Sequence, residues 1–378
     1  MIIPTTVLND ALERVSYAAN RYNKHLAGRD AATAAVHVFL RGDRLGFFCT
    51  SFQIFAMETI PVELTDQDGD FDAFVFPHHI LEHLKFIDGM VVLRKTAKSI
   101  MMEKQSGRQK VRIANKEEME EFFDDPNKQF EDAKGNVPVV MDSSLLKKTL
   151  SKVEYAAHGK GIAQNVVVFR DFDSKLCIGA TDAWRATVQN DIVHCAQNVE
   201  TAVLSETVGV IMRMLSKTEG SVKIYFTDRG LYIKDGDFFV GALSAGQSHD
   251  IWGLFKQHPL PDTVKFELEQ DLLSRALRVT SGFAESGGGY IVLEITGDDV
   301  SIYSFSRELG DSRWMMGASN LVTDEDKNIM IDPDFISQFL TRVKPKTVRF
   351  QASTPDKPVF IFGEDENLKT LCMPISVT

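Results

Sequence analysis

Cysteine is scarce. Four occur in 378 residues, Cys49, Cys177, Cys195 and Cys372, and no two form a C-x-x-C pair. That scatter excludes a disulfide framework and a zinc ribbon. Cys49, Cys177 and Cys372 stand in apolar strand-like runs, where buried free thiols are expected. Long apolar runs are missing too, since none approaches the ~20 residues that span a bilayer. The opening Met1-Ile2-Ile3-Pro4-Thr5 lacks the basic and apolar regions of a signal peptide. The expectation is a cytoplasmic protein with no membrane partner. Positive charge is in deficit: 42 Lys and Arg against 53 Asp and Glu leave a net charge of -11. A globally basic coat for nucleic acid is thereby excluded, whereas a basic surface inside an acidic body is not.

Signs of catalysis are few. Ser286-Gly287-Gly288-Gly289 lacks the Lys-Ser/Thr of a phosphate-binding P-loop and leads into a strand. Asp171, Asp173, Asp298 and Asp299 are turn acids without calcium-loop spacing. No nucleophile elbow is recognisable. One string, His79-Ile80-Leu81-Glu82-His83, has the H-x-x-E-H form in which two histidines on one helix face hold zinc and Glu82 acts as base. No clear third ligand follows it, so a zinc metalloprotease is the lesser alternative. No cofactor and no enzymatic activity are expected.

What the chain does contain is repetition. The clearest unit runs from the apolar Leu176-Cys177-Ile178-Gly179-Ala180 through the polar corner Thr181-Asp182-Ala183-Trp184-Arg185 to a helix opening at Ser205. In that helix Val208, Ile211, Met212 and Leu215 fall on one face, and Ser205 stands as an N-cap. The same order of elements occurs on both sides of it. First helices begin near 7, 144 and 271, and second helices near 77, 206 and 333. The register thus repeats at roughly 130 residues, too long for a solenoid and consistent with three domains of one fold. Their expected bounds are 1–118, 137–246 and 262–378. The acidic stretch 119–136 and the segment 247–261, with Pro259 and Pro261, are read as linkers.

Basic residues collect on the helices and their exits. The first helices contribute Arg14, Arg21, Lys24, Lys147, Lys148, Lys152, His158, Lys160, Arg275 and Arg278. The second add Lys85, Arg213, Lys217, Arg342, Lys344 and Lys346. Acids crowd into linkers and turns instead. On any single helix this is an ordinary solvated face. Repeated over six helices, it fits a surface that meets phosphates.

At this point the chain resembles a known family, the bacterial-type DNA polymerase III β sliding clamp, over essentially its whole length. The likeness is strongest in Ala180-Thr181-Asp182-Ala183-Trp184-Arg185, where the family usually has Ala-Thr-Asp-Gly-His-Arg-Leu. It continues in Val210-Ile211-Met212-Arg213-Met214-Leu215, Asp237-Phe238-Phe239 and the terminal Cys372-Met373-Pro374-Ile375. The resemblance implies an α+β fold of three repeated clamp domains, helices lining an inner face and antiparallel sheets forming an outer wall. It also implies a head-to-tail homodimer encircling double-stranded DNA without reading sequence. A peptide-binding pocket would take linear motifs of the replicative polymerase, clamp loader and repair proteins. Matching positions are Thr181, Ala183, Trp184, Arg185 and Ala186, with Leu254, Asp332, Phe335, Val359, Leu371, Cys372, Met373, Pro374 and Ile375. The implied DNA-facing set is Arg14, Arg21, Lys24, Lys147, Lys148, Lys152, His158, Lys160, Arg213, Arg275, Arg278 and Arg342. Ala183-Trp184 for Gly-His, Ala186 for Leu, and an ending without its usual Arg are departures that point to altered peptide specificity. A repeat scaffold that binds proteins without encircling DNA shares the fold and is the other non-catalytic alternative.

Overall fold

The computed structural model describes residues 1–378 except 21–27, 52, 67, 105–106, 113–130, 132, 159–164, 247–249, 288, 298 and 376–378. Its first repeat contains β1 (Ile2–Pro4), α1 (Thr5–Ser16), α2 (Gly28–Thr33), β2 (Val36–Arg41), β3 (Arg44–Thr50), β4 (Ile54–Pro61) and β5 (Phe71–Val75). It ends with α3 (Pro77–Leu84), β6 (Met90–Lys95), β7 (Ser99–Lys104) and β8 (Gly107–Arg112). The second contains β9 (Val139–Asp142), α4 (Ser143–Val153), β10 (Val166–Phe172), β11 (Lys175–Thr181), β12 (Arg185–Gln189) and β13 (Glu200–Leu204). After these come α5 (Ser205–Met214), β14 (Ser221–Thr227), β15 (Gly230–Asp235) and β16 (Phe238–Leu243). Then comes α6 (Ile251–Gln257). The third repeat holds β17 (Val264–Glu269), α7 (Gln270–Gly287), β18 (Ile291–Thr296), β19 (Asp299–Ser306), β20 (Gly310–Gly317), β21 (Ser319–Thr323) and β22 (Lys327–Ile331). It closes with α8 (Pro333–Val343), β23 (Thr347–Ala352), β24 (Val359–Phe362) and β25 (Leu368–Cys372).

All six expected helices are present at their expected places. One expectation is corrected: 247–261 is not a plain linker, because α6 occupies its centre. Its apolar residues, Ile251 and Trp252 with Leu254 and Phe255, sit at helical spacing and bury one face. The strands least visible in sequence, β8 and β20, are sheet edges. β20 is exposed along nearly all its length, so it carries no alternation to betray it. Most of 119–136, together with Arg21, Lys24 and Lys160, lies outside the described residues.

The described chain divides into two compact units. One is Met1–Lys147 with Glu206–Ala245; the other is Lys148–Ser205 with Gly246–Thr378. In the first, an eight-stranded antiparallel sheet runs β5-β2-β3-β4-β16-β15-β14-β9 beside a four-stranded sheet β1-β6-β7-β8. The repeat boundary here is a strand pair, β4 with β16. Gly241 of β16 lies opposite Phe55 of β4, and a Cβ at Gly241 would strike the Phe55 ring. That ring joins Phe48, Met57, Tyr225, Tyr232 and Phe239 in the core of the sheet. Helix α1 turns Leu8, Ala11, Leu12 and Val15 inward and packs on β3, β4 and α3.

The second unit follows the same plan. Nine strands run β13-β10-β11-β12-β25-β24-β23-β17-β21, and its repeat boundary is the pair β12 with β25. A four-stranded sheet runs β20-β19-β18-β22, and α7 packs on it and alongside α8. Among the described residues, no helix is long and apolar enough to cross a membrane.

Candidate peptide site and helix faces

The corner between β11 and β12 is built by one carboxylate. Asp182 Oδ1 accepts from the backbone N–H of Trp184 and of Arg185, each at 3.0 Å, and Oδ2 accepts from Arg185 Nε at 3.0 Å. Thr181 Oγ1 donates to the Arg185 carbonyl at 2.8 Å and accepts from Ala183 N–H at 3.1 Å. This Asx-type turn forces Ala183 to φ +74°, a left-handed conformation that suits glycine better. It also leaves the Trp184 side chain 63% exposed.

Arg185 points the other way. Its Nη1 donates to Gln338 Oε1 of α8 at 2.8 Å, and its guanidinium carbon lies 4.8 Å from the Phe335 ring centroid and 5.5 Å from that of Tyr155. Tyr155 is fixed in turn by Thr187 and Thr370. With 3% exposure and a carboxylate partner, Arg185 is a buried, neutralised strut and not an outward cation.

The chain's end completes the neighbourhood. Met373 N–H donates to the Trp184 carbonyl at 2.7 Å, and Ile375 N–H to the Met330 carbonyl at 2.9 Å. β25 lies against β12 with Arg185 opposite Cys372 and Ala186 opposite Leu371. Helix α8 starts where Asp332 caps it, accepting from Asp334 N–H at 2.8 Å ahead of Pro333. Helix α6 supplies Leu254 and Phe255, and Phe255 packs with Phe360, Phe362, Leu371 and Met373.

Of the residues expected here, Trp184, Ala183, Leu254, Asp332, Phe335, Met373 and Ile375 reach the surface. Thr181, Arg185, Ala186, Val359, Leu371, Cys372 and Pro374 are buried and support it from beneath. The Cys372 thiol is pushed up to about 12 by burial, which makes it chemically inert at neutral pH. Sequence reasoning missed Phe255, Gln338 and Tyr155. Only Phe255 carried a signal, its place in the apolar run after Asp250. The result is an apolar group of Trp184, Phe335, Met373, Leu254 and Phe255, with the Asp332 carboxylate at the start of α8, suited to apolar side chains of a short peptide.

The basic set divides into free and engaged groups. Arg14 is engaged: it pairs with Glu58 at 3.4 Å and Asp235 at 3.5 Å and stacks over Phe238 at 4.7 Å. Lys152 pairs with Asp365 at 3.1 Å, His158 with Glu154, and Lys217 with Asp10 and Glu13. Arg14, Lys152 and His158, expected to face DNA, and Lys217 beside them each meet a carboxylate of their own chain. Lys148, Arg213, Arg275, Arg278 and Arg342 are exposed, and Lys147 is half-buried. Arg213 lies 5.8 Å over the Tyr17 ring, and none of the six has an ion-pair partner among the described residues. His79, Glu82 and His83 do share α3, but no group of three or more His, Cys, Asp or Glu able to hold a metal exists among the described residues. The zinc alternative therefore has no site there.

No family profile matches the chain, and no curated protein matches it in sequence. Solved structures do match in three dimensions. The DNA polymerase III subunit β of Pseudomonas aeruginosa superposes with TM-score 0.87 at 13% identity, covering 100% of both chains. The β subunit of Thermotoga maritima gives 0.87 at 17% identity, covering 100% of this chain and 99% of its own. That of Borrelia burgdorferi, in complex with a natural product, gives 0.85 at 17%, with 100% and 99% covered. The fold is that of the β sliding clamp.

Proposed function

We propose that this protein is a DNA sliding clamp, a non-catalytic processivity factor that closes around duplex DNA as a head-to-tail homodimer of three-domain chains. The supporting observation is a pattern of edges. Each internal repeat boundary is an antiparallel strand pair, β4–β16 and β12–β25. The strands equivalent to these by position in the repeat are β8 in the first copy and β20 in the third. Both end their sheets without a neighbour among the described residues. A second chain placed head to tail would pair β8 with β20 at two junctions and give each of these two edges a neighbour, as β4–β16 and β12–β25 do within the chain.

Six such domains would enclose a hole lined by helices, where free cations meet phosphates loosely and through water. Grip then comes from topology, which is how a chain of net charge -11 can serve DNA. The rim around Trp184 is proposed to take apolar anchors of linear peptides from the replicative polymerase, clamp loader and repair proteins.

The test is retention on plasmid. After loading on a nicked circle, the protein is expected to remain bound at high salt and to be released by linearisation. Equal retention on linear and circular DNA, or none on either, would refute the encircling ring and leave a protein scaffold as the reading.

A further inference from the structure

We propose that the pocket beyond the end of α6 extends the peptide site, an inference that rests on the peptide-binding reading above. Its occupant is the flank of the same linear peptide: an apolar side chain up to about three residues outside the anchors, followed by an acid.

The sheet face leads there. Directly opposed residues of neighbouring strands share a face. One such row runs Ala186, Leu371, Phe360, Gln351, Lys265 and Val322, across β12, β25, β24, β23, β17 and β21. Helix α6 covers its first part, where Ile251 and Trp252 pack with Ala186, and Phe255 packs with Leu371 and Phe360. The helix ends at Gln257. Past it lies a pocket of about 360 Å³. Pro259, Leu260 and Pro261 line it from one segment, Lys357 and Pro358 from another, and Phe360 from β24.

Phe360 joins the two sites, because its ring lies 6.1 Å from that of Phe255 and it also lines the pocket. Strands are ~4.8 Å apart, and an extended chain advances ~3.3 Å per residue. Two strand spacings, from Leu371 to Gln351, therefore correspond to roughly three residues of peptide.

The lining selects the occupant. Three prolines, each with a fixed φ, keep the pocket formed before anything binds. Leu260 is 47% exposed, apolar area that an incoming apolar side chain would cover. Among the nearby charges, Asp262 is tied to Lys265 at 2.6 Å, and the Asp356 carboxyl is hydrogen-bonded to Thr354. Lys357 stands exposed at the rim, placed to meet an acid on the peptide.

Calorimetric titration of the full-length protein tests this with synthetic peptides. The core peptide contains only leucine, serine and phenylalanine, and two longer ones add leucine and aspartate at one end or the other. One of the longer peptides is expected to bind about tenfold more tightly than the core. Leu260→Ser is expected to lose most of that gain and to bind the core as the wild type does. Lys357→Glu is expected to weaken the aspartate peptide about threefold and to leave its asparagine counterpart unchanged.

A gain at neither end, or an equal gain in Leu260→Ser, would overturn the extension. So would a Leu260→Ser protein that binds the core peptide more weakly, since Leu260 would then belong to the anchor site. Equal weakening of the aspartate and asparagine peptides by Lys357→Glu would remove the acid from the occupant. Failure of the core peptide to bind the wild type would refute the peptide site itself, a result distinct from loss of the gain alone.

Discussion

Ala183 shows how one residue can stand against its own backbone. The Asp182 carboxylate and the Thr181 hydroxyl close the turn so tightly that position 183 must take φ +74°. An alanine Cβ pays roughly 1 kcal/mol for that conformation relative to glycine. Ala183→Gly is therefore expected to raise the unfolding free energy of the unit by about 1 kcal/mol, less the greater chain entropy of glycine when unfolded. Urea denaturation measures it, and an unchanged or lower midpoint would show that the turn is relaxed as it stands. The corner was legible in sequence as a polar break between two strands. The burial of Arg185 was not, because its enclosing partners Gln338, Phe335 and Tyr155 come from distant parts of the chain.

At the scale of elements, the pairing of β4 with β16 carries a charge problem. Glu58 of β4 is largely buried, and its Oε2 and the Nε of Arg14 make no hydrogen bond. Burial pushes the Glu58 carboxyl up to about 7. Arg14 opposes the shift, and Asp235, Asp10 and Asp237 add to it. The folded protein thus holds a proton that the unfolded chain has released. Stability from this group is full below its ordinary value of 4.5 and is lost as pH rises through about 7.

Glu58→Gln removes that dependence. The unfolding free energy of the wild type relative to the variant is expected to fall between pH 4.5 and 7.5 by on the order of 3 kcal/mol. Chemical denaturation across that range tests it; a pH-independent difference would mean that Glu58 is ionised normally. Arg14 was read from sequence as a cation facing DNA, since its helix offered no sign of the acids waiting on β4 and β15.

At the scale of the molecule, the edge of β20 and its surroundings are the exposed element of the proposed dimer. Trp314 and Met315 lie on it, with Phe305 and Leu309 nearby, all of them exposed. Trp314→Glu with Met315→Glu is expected to convert a particle of about twice the chain mass into a monomer, measured by light scattering, with the thermal melt of the monomer showing an intact fold. Like charges placed on a strand edge oppose edge pairing and cost little in a surface already exposed. A variant that keeps the mass of the wild type would remove β20 from the dimer contact, and a wild type that is strictly monomeric would remove the head-to-tail dimer itself.

Periodicity and spacing alone determined the six long helices, the order of elements and the roughly 130-residue repeat, because each helix and each central strand must bury one face and writes that need into its own residues. They also marked Thr181–Arg185 as a polar corner between two strands. Tertiary structure decided what local pattern cannot encode. It joined the repeats through strand pairs, left β8 and β20 as edges, and turned 251–257 into a helix that walls the proposed peptide site. It also decided which cations are free. Arg14, Lys152, His158 and Lys217 face carboxylates, and for three of them the partner includes residues far away in sequence. Charge is a property of a residue, whereas availability of that charge depends on what the fold places beside it.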